Sequence, residues 1–244
     1  MTRQAGIIGA GNIGSAVAQR LVHAGYEVRM ANSRGPASLR EHAAALGAIG
    51  ATLQEAARAR DFVLIAIPEF AVAHLPKDLF AQTAADCVVL DAGNYYPGLR
   101  DGHIPEIDAG MPDSQWVAQT IGRPVAKMFN TIHAGKIAEG HRPRGANDRI
   151  ALPVAADDAQ VRARAIAMAD EIGFDGLDAG DLSQSWRQQP GTPIYCTHLP
   201  FQPACEALLA ARRDDVAVKR QEALDRARTW RRDGADVGTW KPSA

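Results

Sequence analysis

Three glycines near the start of the chain have the spacing of a dinucleotide-binding turn. Gly9, Gly11 and Gly14 form a Gly-x-Gly-x-x-Gly pattern directly after the apolar pair Ile7-Ile8. In such a turn the first glycine allows the bend, the second lets the backbone approach a pyrophosphate, and the third lets helix and strand pack closely. The free N–H groups at the start of the next helix then bind the anion. The alternative is a glycine turn in an α/β domain that binds no dinucleotide.

The segment after the turn has the periodicity of a helix. Apolar residues recur at the spacing of one helix face, and a glycine stands at the stop position: Ile13, Val17, Leu21, Ala24 and Gly25. Strand, glycine turn and helix therefore follow one another in the order that a dinucleotide site needs.

The end of the predicted second strand carries residues suited to a 2′-phosphate. Residues 26–31 read as this strand, and Asn32, Ser33 and Arg34 follow. In this kind of fold a carboxylate at that place binds the ribose of NAD, whereas an arginine accommodates the additional phosphate of NADP. Ser33 can donate one hydrogen bond and Arg34 a charge-assisted pair. The tripeptide favours NADP, and a solvent-facing arginine beside a turn is the alternative.

The rest of the chain alternates between strands and helices. Continuous apolar runs, which are typical of buried parallel strands, lie at residues 61–68, 87–91 and 125–129. This order predicts an α/β fold, a Rossmann-like doubly wound parallel sheet with a smaller C-terminal extension. We expect an NADP-binding Rossmann domain over residues 1–133 and a C-terminal part over residues 134–244.

The C-terminal part is expected to contain extra strands, an acceptor-side loop and a terminal helix. Residues 183–195 show no regular periodicity and predict the loop. Residues 204–232 are rich in Ala, Arg, Asp and Glu, which predicts a helix. Its charges form either a solvated face or an oligomer arm, so a homodimer is left open.

The composition is that of an ordinary globular protein. The 244 residues are 46% hydrophobic and 23% charged, with a net charge of −1, which gives no electrostatic reason to expect nucleic acid or a membrane as a partner. The three cysteines lack metal-ligand spacing, so no metal site is predicted. The sequence shows neither a signal peptide nor an apolar run of membrane-spanning length, and we expect a cytoplasmic protein.

With these residues in view, the chain resembles the coenzyme F420-dependent NADP oxidoreductase family. The stretches that carry the resemblance are residues 9–14, 32–34, 66–68, 127–132 and 177–182. The N-terminal domain of the STEAP metalloreductases is similar as well. The resemblance covers most of residues 5–182.

The resemblance implies that NADP lies along the strand ends and that a deazaflavin stacks against its nicotinamide, so that hydride passes directly between the two rings. The cofactor-binding residues that it implies are Gly9, Gly11, Asn12, Ile13, Gly14, Asn32, Ser33, Arg34, Ile67, Pro68 and Asn94. The residues that it places near the meeting rings are Asn130, Thr131, Ile132 and His133.

Hydride transfer between two ring systems needs orientation and exclusion of water more than an acid or a base. Lys127 is expected to be structural, and His133 is either a residue near the nicotinamide or a packed or solvated histidine. Trp186 and Arg187 could cover a ring and hold an anionic tail, or they could anchor a structural loop. Tyr95 and His133 are the residues that could supply a proton.

The sequence thus predicts an NADP(H)-binding oxidoreductase that transfers hydride between NADPH and a deazaflavin (F420) or flavin-like acceptor. One alternative is an NADPH-dependent reductase of a small carbonyl or imine substrate, which would need a proton donor. The other is a non-catalytic module that senses NADPH.

Replacing Arg34 with alanine should separate the two nicotinamide cofactors. A charge-assisted hydrogen bond contributes about 1.5–3 kcal/mol, so the variant should bind NADPH about ten-fold or more weakly. NADH lacks the 2′-phosphate and should be barely affected. Titration of both cofactors checks this expectation, and an equal loss for the two would remove the assignment of Arg34.

Overall fold

A six-stranded parallel sheet organises residues 2–232, the part of the chain that the computed structural model describes. Its strands are β1 Gln4–Ile8, β2 Glu27–Ala31, β3 Ile49–Gly50, β4 Phe62–Ile65, β5 Val88–Asp91 and β6 Ala126–Lys127. They stand in the order β3-β2-β1-β4-β5-β6, which is the order of a Rossmann sheet. The Rossmann-like prediction is confirmed. Residues 233–244 of the predicted C-terminal part lie outside the described residues.

Helices connect the strands and cover the sheet. The α-helices are α1 Asn12–His23, α2 Arg40–Ala45, α3 Leu53–Ala57, α4 Glu69–Val72, α5 Pro105–Asp108, α6 Asp113–Ile121, α7 Ala134–Glu139, α8 Ala159–Glu171, α9 Phe201–Ala210 and α10 Val216–Arg232. Short 3-10 helices lie at Pro36–Leu39, Leu182–Gln188 and Arg213–Asp215. Within the described residues, each helix is too short or too polar to cross a bilayer.

Two hydrophobic clusters hold these helices to the sheet. In one cluster α1 contributes Val17 and Leu21, which are at most 1% exposed. In the other, Ala56 of α3 and Val117 of α6 are both fully buried. Burial of a valine or leucine side chain stabilises the fold by roughly 1.5–3 kcal/mol. β4 and β5, which lie between the helix layers, are buried at every position, as their continuous apolar runs predicted.

The smaller C-terminal extension is a β-α-β unit that continues from the main sheet. Its parallel strands, joined by α8, are β7 Ala151–Val154 and β8 Asp175–Asp178. Lys127 N–H donates to the Ala155 carbonyl at 2.8 Å, and Ala155 N–H donates back at 3.2 Å. Met168 of α8 lies in the same hydrophobic cluster as Leu21 of α1. The domain boundary at residue 133 stays a prediction, although both sides of it share this cluster.

The terminal helical region differs from the expectation of one helix over residues 204–232. α9 ends at Ala210 and α10 begins at Val216, with a 3-10 turn between them. The backbone of Ala211 is extended, at φ −63° and ψ 134°, and its carbonyl accepts a hydrogen bond from Arg187 at 3.4 Å. The break between α9 and α10 thus coincides with a tertiary contact to Arg187. The amino-acid composition of the segment favours one continuous helix and gives no sign of the break.

Candidate functional site

The glycine turn after β1 combines close packing with one open position. The φ of Gly9 is 115°, which only glycine adopts readily. A methyl group at Gly14 would lie 1.9 Å from the Gly9 carbonyl oxygen. A methyl group at Gly11, in contrast, would have no protein atom within 4 Å among the described residues. The protein itself gives no steric reason for glycine at Gly11, but a ligand placed above the turn would.

The start of α1 is prepared for an anion. Gly11 is the N-cap residue, and no side chain accepts a hydrogen bond there. The first turn of this 12-residue helix contains no acidic residue. The N–H groups of a first turn have no partners within the helix, and the helix dipole adds partial positive charge. Asn12 and Ile13 therefore present backbone donors beside the open space at Gly11.

The end of β2 forms a turn that the Asn32 side chain shapes. Its Oδ1 accepts a hydrogen bond from the backbone N–H of Arg34 at 2.9 Å and one from the Ser38 hydroxyl at 3.2 Å. Ser33 is half-buried and the Arg34 side chain is exposed. Asn32 thus holds the loop, while the guanidinium of Arg34 is left at the surface, where a phosphate could meet it.

A cavity of about 460 Å³ lies between this turn and the end of β4. Its lining includes Gly9, Asn32, Ser33, Pro36, Leu53 and Ile67. The volume is in the range of small-molecule sites, and the lining combines apolar side chains with the backbone of the glycine turn. Of the residues expected at the cofactor, the structure brings these four together: Gly9, Asn32, Ser33 and Ile67.

Three amide side chains link the ends of β5 and β6 to the 3-10 helix Leu182–Gln188. Asn94 Nδ2 donates to the Asn130 carbonyl at 2.9 Å, and Asn130 Nδ2 donates to Asn94 Oδ1 at 3.1 Å. Gln188 Nε2 donates to Asn130 Oδ1 at 3.0 Å. Asn130 is 3% exposed and its amide is engaged on both sides, so it holds the side chain of the half-buried Asn94 in place.

The other residues expected near the rings separate in the structure. Thr131 and Ile132 are 4% and 3% exposed, and Ile132 belongs to the hydrophobic core. His133 is exposed, and its backbone N–H donates to His198 Nε2 at 3.2 Å. The two imidazole centroids are 4.7 Å apart. Burial, followed by the charges of His133 and Lys136, lowers the pKa of His198, so His198 is neutral and serves as an acceptor.

Tyr95 does not reach the strand ends, in contrast to the expectation that it could face a ring. It is fully buried, its hydroxyl donates to Asp108 Oδ1 at 2.9 Å, and it accepts from the Ile104 N–H at 2.9 Å. The next residue, Tyr96, is half-buried and its hydroxyl is hydrogen-bonded to that of Tyr195. Burial raises the pKa of Tyr96 to about 12.

Trp186 is part of a 3-10 helix and not of an irregular loop. Its side chain is 7% exposed. The guanidinium groups of Arg187 and Arg213 lie 4.5 Å and 5.5 Å from the indole centroid. Cation–π contacts of this kind anchor the helix, and they favour the structural interpretation of Trp186 and Arg187. Gln188, two residues on, is the member of this helix that contacts the strand ends.

Buried ionic groups lie beneath the strand ends. Lys127, Asp91 and Asp113 are all fully buried. Lys127 Nζ lies 3.5 Å from Asp91 Oδ2, and Arg220 Nη2 lies 3.6 Å from Asp113 Oδ1. Burial lowers the pKa of Lys127, but the charges of Asp91 and Asp113 outweigh it and the pKa is raised overall. Lys127 is therefore a charged structural residue, as expected.

Glu69 is the uncompensated member of this group. It is fully buried at the start of α4, and neither carboxyl oxygen has a hydrogen-bond partner among the described residues. Burial, followed by the negative charges of Asp91 and Asp113, raises the pKa of Glu69 well above its usual value. Each of these two aspartates already has a cationic partner, so a charged Glu69 would be unpaired. Burial without a hydrogen-bond partner in the described part of the chain therefore favours the neutral form of Glu69.

Sequence reasoning assigned no role to Glu69, Asp113 or Gln188. Asp91 carried a usable signal, because a carboxylate that ends a continuous apolar run requires a buried partner. Glu69 carried a similar signal, because it is a single carboxylate in the apolar segment 65–73, whereas Asp113 and Gln188 stand in polar or mixed segments. The described residues contain no group of three His, Cys, Asp or Glu side chains arranged to hold a metal ion.

Comparison with known proteins places the chain in a family. Residues 4–95 match the sequence model of the coenzyme F420-dependent NADP oxidoreductases. The crystal structure of the protein SMa0349 from Sinorhizobium meliloti is 30% identical, with a TM-score of 0.62, and the match covers 82% of this chain and 93% of that one. The chain belongs to the coenzyme F420-dependent NADP oxidoreductase family.

Two further proteins match this chain with lower sequence identity or over a shorter stretch. A protein from Arthrobacter sp. FB24, named as an F420-dependent NADP reductase, is 19% identical over 76% of this chain and 87% of that one, with a TM-score of 0.57, and shows the same fold. The protein YjhV of Escherichia coli K12 is 39% identical over 54 residues, which are 22% of this chain. The match spans 39% of the length of YjhV. The similarity to the STEAP metalloreductases remains a resemblance.

Replacing Gly11 with valine should abolish dinucleotide binding without unfolding the protein. The backbone at Gly11, at φ −79° and ψ −171°, is open to any residue, and the added side chain meets empty space. Gly14→Ala is the matched contrast, because its methyl group would collide with the Gly9 carbonyl and lower the melting temperature as well. NADPH titration and thermal unfolding of both variants check this, and retained affinity in a folded Gly11→Val variant would contradict it.

Replacing Glu69 with glutamine should change how stability depends on pH. A raised folded-state pKa means that the contribution of Glu69 is fully present below its unfolded pKa of 4.5 and is lost as the pH rises through the folded value. The free energy of unfolding of the wild type should therefore fall, relative to Glu69→Gln, by up to about 1.4 kcal/mol per pH unit. Denaturant unfolding from about pH 5 to about pH 8 measures the difference. A difference that does not vary with pH would show that Glu69 is not protonated.

Proposed function

We propose that this protein binds NADPH along the ends of β1, β2 and β4 and transfers hydride between it and a deazaflavin (F420) or flavin-like ring. The observation that carries the proposal is the open space at Gly11, beside the unoccupied donors of α1 and a cavity of about 460 Å³. The family of NADP oxidoreductases to which the chain belongs supports the same assignment.

The choice of NADPH over NADH rests on the turn after β2. No carboxylate occurs between Asn32 and Pro36, so nothing in the turn would repel a 2′-phosphate. The exposed Arg34 side chain is free to move toward the phosphate, because Asn32 holds the Arg34 backbone and not its guanidinium. A bidentate guanidinium–phosphate contact would then discriminate between the two cofactors.

The tyrosine and lysine side chains at the strand ends are poor proton donors, which favours a ring acceptor and leaves the exposed His133 as the candidate donor for a carbonyl or imine. Reduction of a carbonyl requires a proton donor whose pKa lies near the working pH. Tyr95 is buried against Asp108 and Lys127 is fully buried. Tyr96 has a pKa of about 12, which leaves it a weak acid at neutral pH. Direct hydride transfer to a ring does not require these residues to donate a proton, as reduction of a carbonyl would.

The test is an acceptor panel with NADPH as the donor. The purified protein is assayed with F420, with free flavins, and with small carbonyl and imine compounds, and Gly11→Val serves as the matched control without a cofactor site. We expect NADPH oxidation with F420 or a flavin and none in the control. Turnover with a carbonyl or imine alone would favour the alternative reductase, with the exposed His133 as the proton source. Tight NADPH binding without any turnover would favour a sensing module.

The assembly and location of the protein also remain proposals. The charged terminal region leaves a homodimer open beside a solvated face, and sedimentation of the purified protein distinguishes the two. A cytoplasmic location accords with the use of NADPH.

A further inference from the structure

The backbone N–H and C=O of Gly93, which follows β5, are each hydrogen-bonded to a buried charged side chain. Its N–H donates to Asp91 Oδ1 at 2.9 Å, and its carbonyl accepts from Lys127 Nζ at 3.0 Å. The same ammonium lies 3.5 Å from Asp91 Oδ2. Lys127 and Asp91 thus form an ion pair that binds the two successive peptide groups on either side of the Gly93 Cα at the end of the sheet.

Two further side chains close this arrangement. The Ser114 hydroxyl donates to Asp91 Oδ2 and is itself fully buried. A methyl group at Gly93 would lie 2.4 Å from Glu69 Oε1 and 2.9 Å from Asp91 Oδ1. The Gly93 backbone therefore has neither rotational freedom nor space to shift while these groups are in place.

A buried ion pair of this kind contributes little net stability to a fold. Removing two charges from water costs free energy that their attraction repays only with good geometry, and apolar residues of similar volume often serve as well. An apolar pair could not bind the N–H and the C=O of Gly93, which belong to two successive peptide groups. The arrangement is therefore better suited to fixing the direction of the chain at Gly93 than to adding stability.

The residue whose direction is fixed is Asn94. Its side chain exchanges hydrogen bonds with Asn130 at 2.9 Å and 3.1 Å, and its carbonyl accepts from Arg100. Asn94 is half-buried and stands beyond the carboxyl end of β5, where ligands of open α/β sheets bind.

We propose that Lys127 and Asp91 are positioning residues that orient the Gly93–Asn94 turn and, through Asn94, the nicotinamide end of NADPH. This inference rests on the proposed function. It predicts that disturbing Gly93 or Lys127 affects the nicotinamide half of the cofactor and spares the adenosine half, which is held at the glycine turn and at the end of β2.

The test compares two ligands with the full-length protein. Adenosine 2′,5′-bisphosphate contains only the adenosine half, whereas NADPH contains both halves and reports on its ring by fluorescence. Gly93→Ala and Lys127→Met are the test variants. Gly102→Ala is the matched control, because a methyl group at Gly102 has no atom within 4 Å among the described residues. Thermal unfolding shows which variants are folded.

We expect each folded test variant to bind NADPH about five-fold or more weakly and to change the ring fluorescence, while affinity for the bisphosphate stays within about two-fold. The control should match the wild type. Equal losses for both ligands, or no change in either, would show a purely structural role and overturn the inference. If Lys127→Met does not fold because it leaves Asp91 unpaired, Gly93→Ala decides alone; if neither folds, the cluster serves stability and the inference fails. A wild type that binds neither ligand would instead remove the proposed function.

Discussion

Backbone-to-backbone packing on β1 is the constraint on which the rest of the structure depends. A methyl group at Gly14 would lie 1.9 Å from the Gly9 carbonyl oxygen, and one at Gly6 would lie 1.9 Å from that of Ala56. α1 and α3 therefore touch the central strand without intervening side chains. Because the packing leaves so little room, the direction of α1 and the position of the turn are set together. The open space at Gly11 is a consequence of this geometry.

A second constraint acts at the ends of β5 and β6, where buried charged side chains must be paired. Lys127, Asp91 and Asp113 are fully buried, and in a medium of low polarizability such groups are tolerated only when they are paired and hydrogen-bonded. The amides of Asn130 and Gln188 extend the network toward the surface. A network in which most donors and acceptors are matched has few alternative arrangements. Such rigidity suits the hydride transfer that we propose, which depends on holding two rings in one relative orientation.

Part of the candidate site could be predicted from the sequence. Gly9, Asn32, Ser33 and Ile67 line one cavity, because each stands at a fixed offset from a strand that its own neighbours define; that this cavity takes the cofactor stays a prediction. Tyr95 and Tyr96 show the opposite case. They are adjacent in sequence, yet one is bonded to Asp108 in the interior and the other to Tyr195. The conformation of the loop sends the two side chains in different directions, and the periodicity of the sequence does not predict that conformation.

By itself, the sequence determined the α/β fold class and the glycine turn, because these depend on backbone sterics and on burial patterns within a few neighbouring residues. The tertiary structure alone decided that Trp186 is an anchored core residue, that the neutral form of Glu69 is favoured, and which amides meet at the strand ends. The partners in those contacts are far apart in the chain: 36 residues separate Asn94 from Asn130, and 58 separate Asn130 from Gln188. Such pairs are brought together only by the folded sheet, and local sequence carries no information about the distance between them.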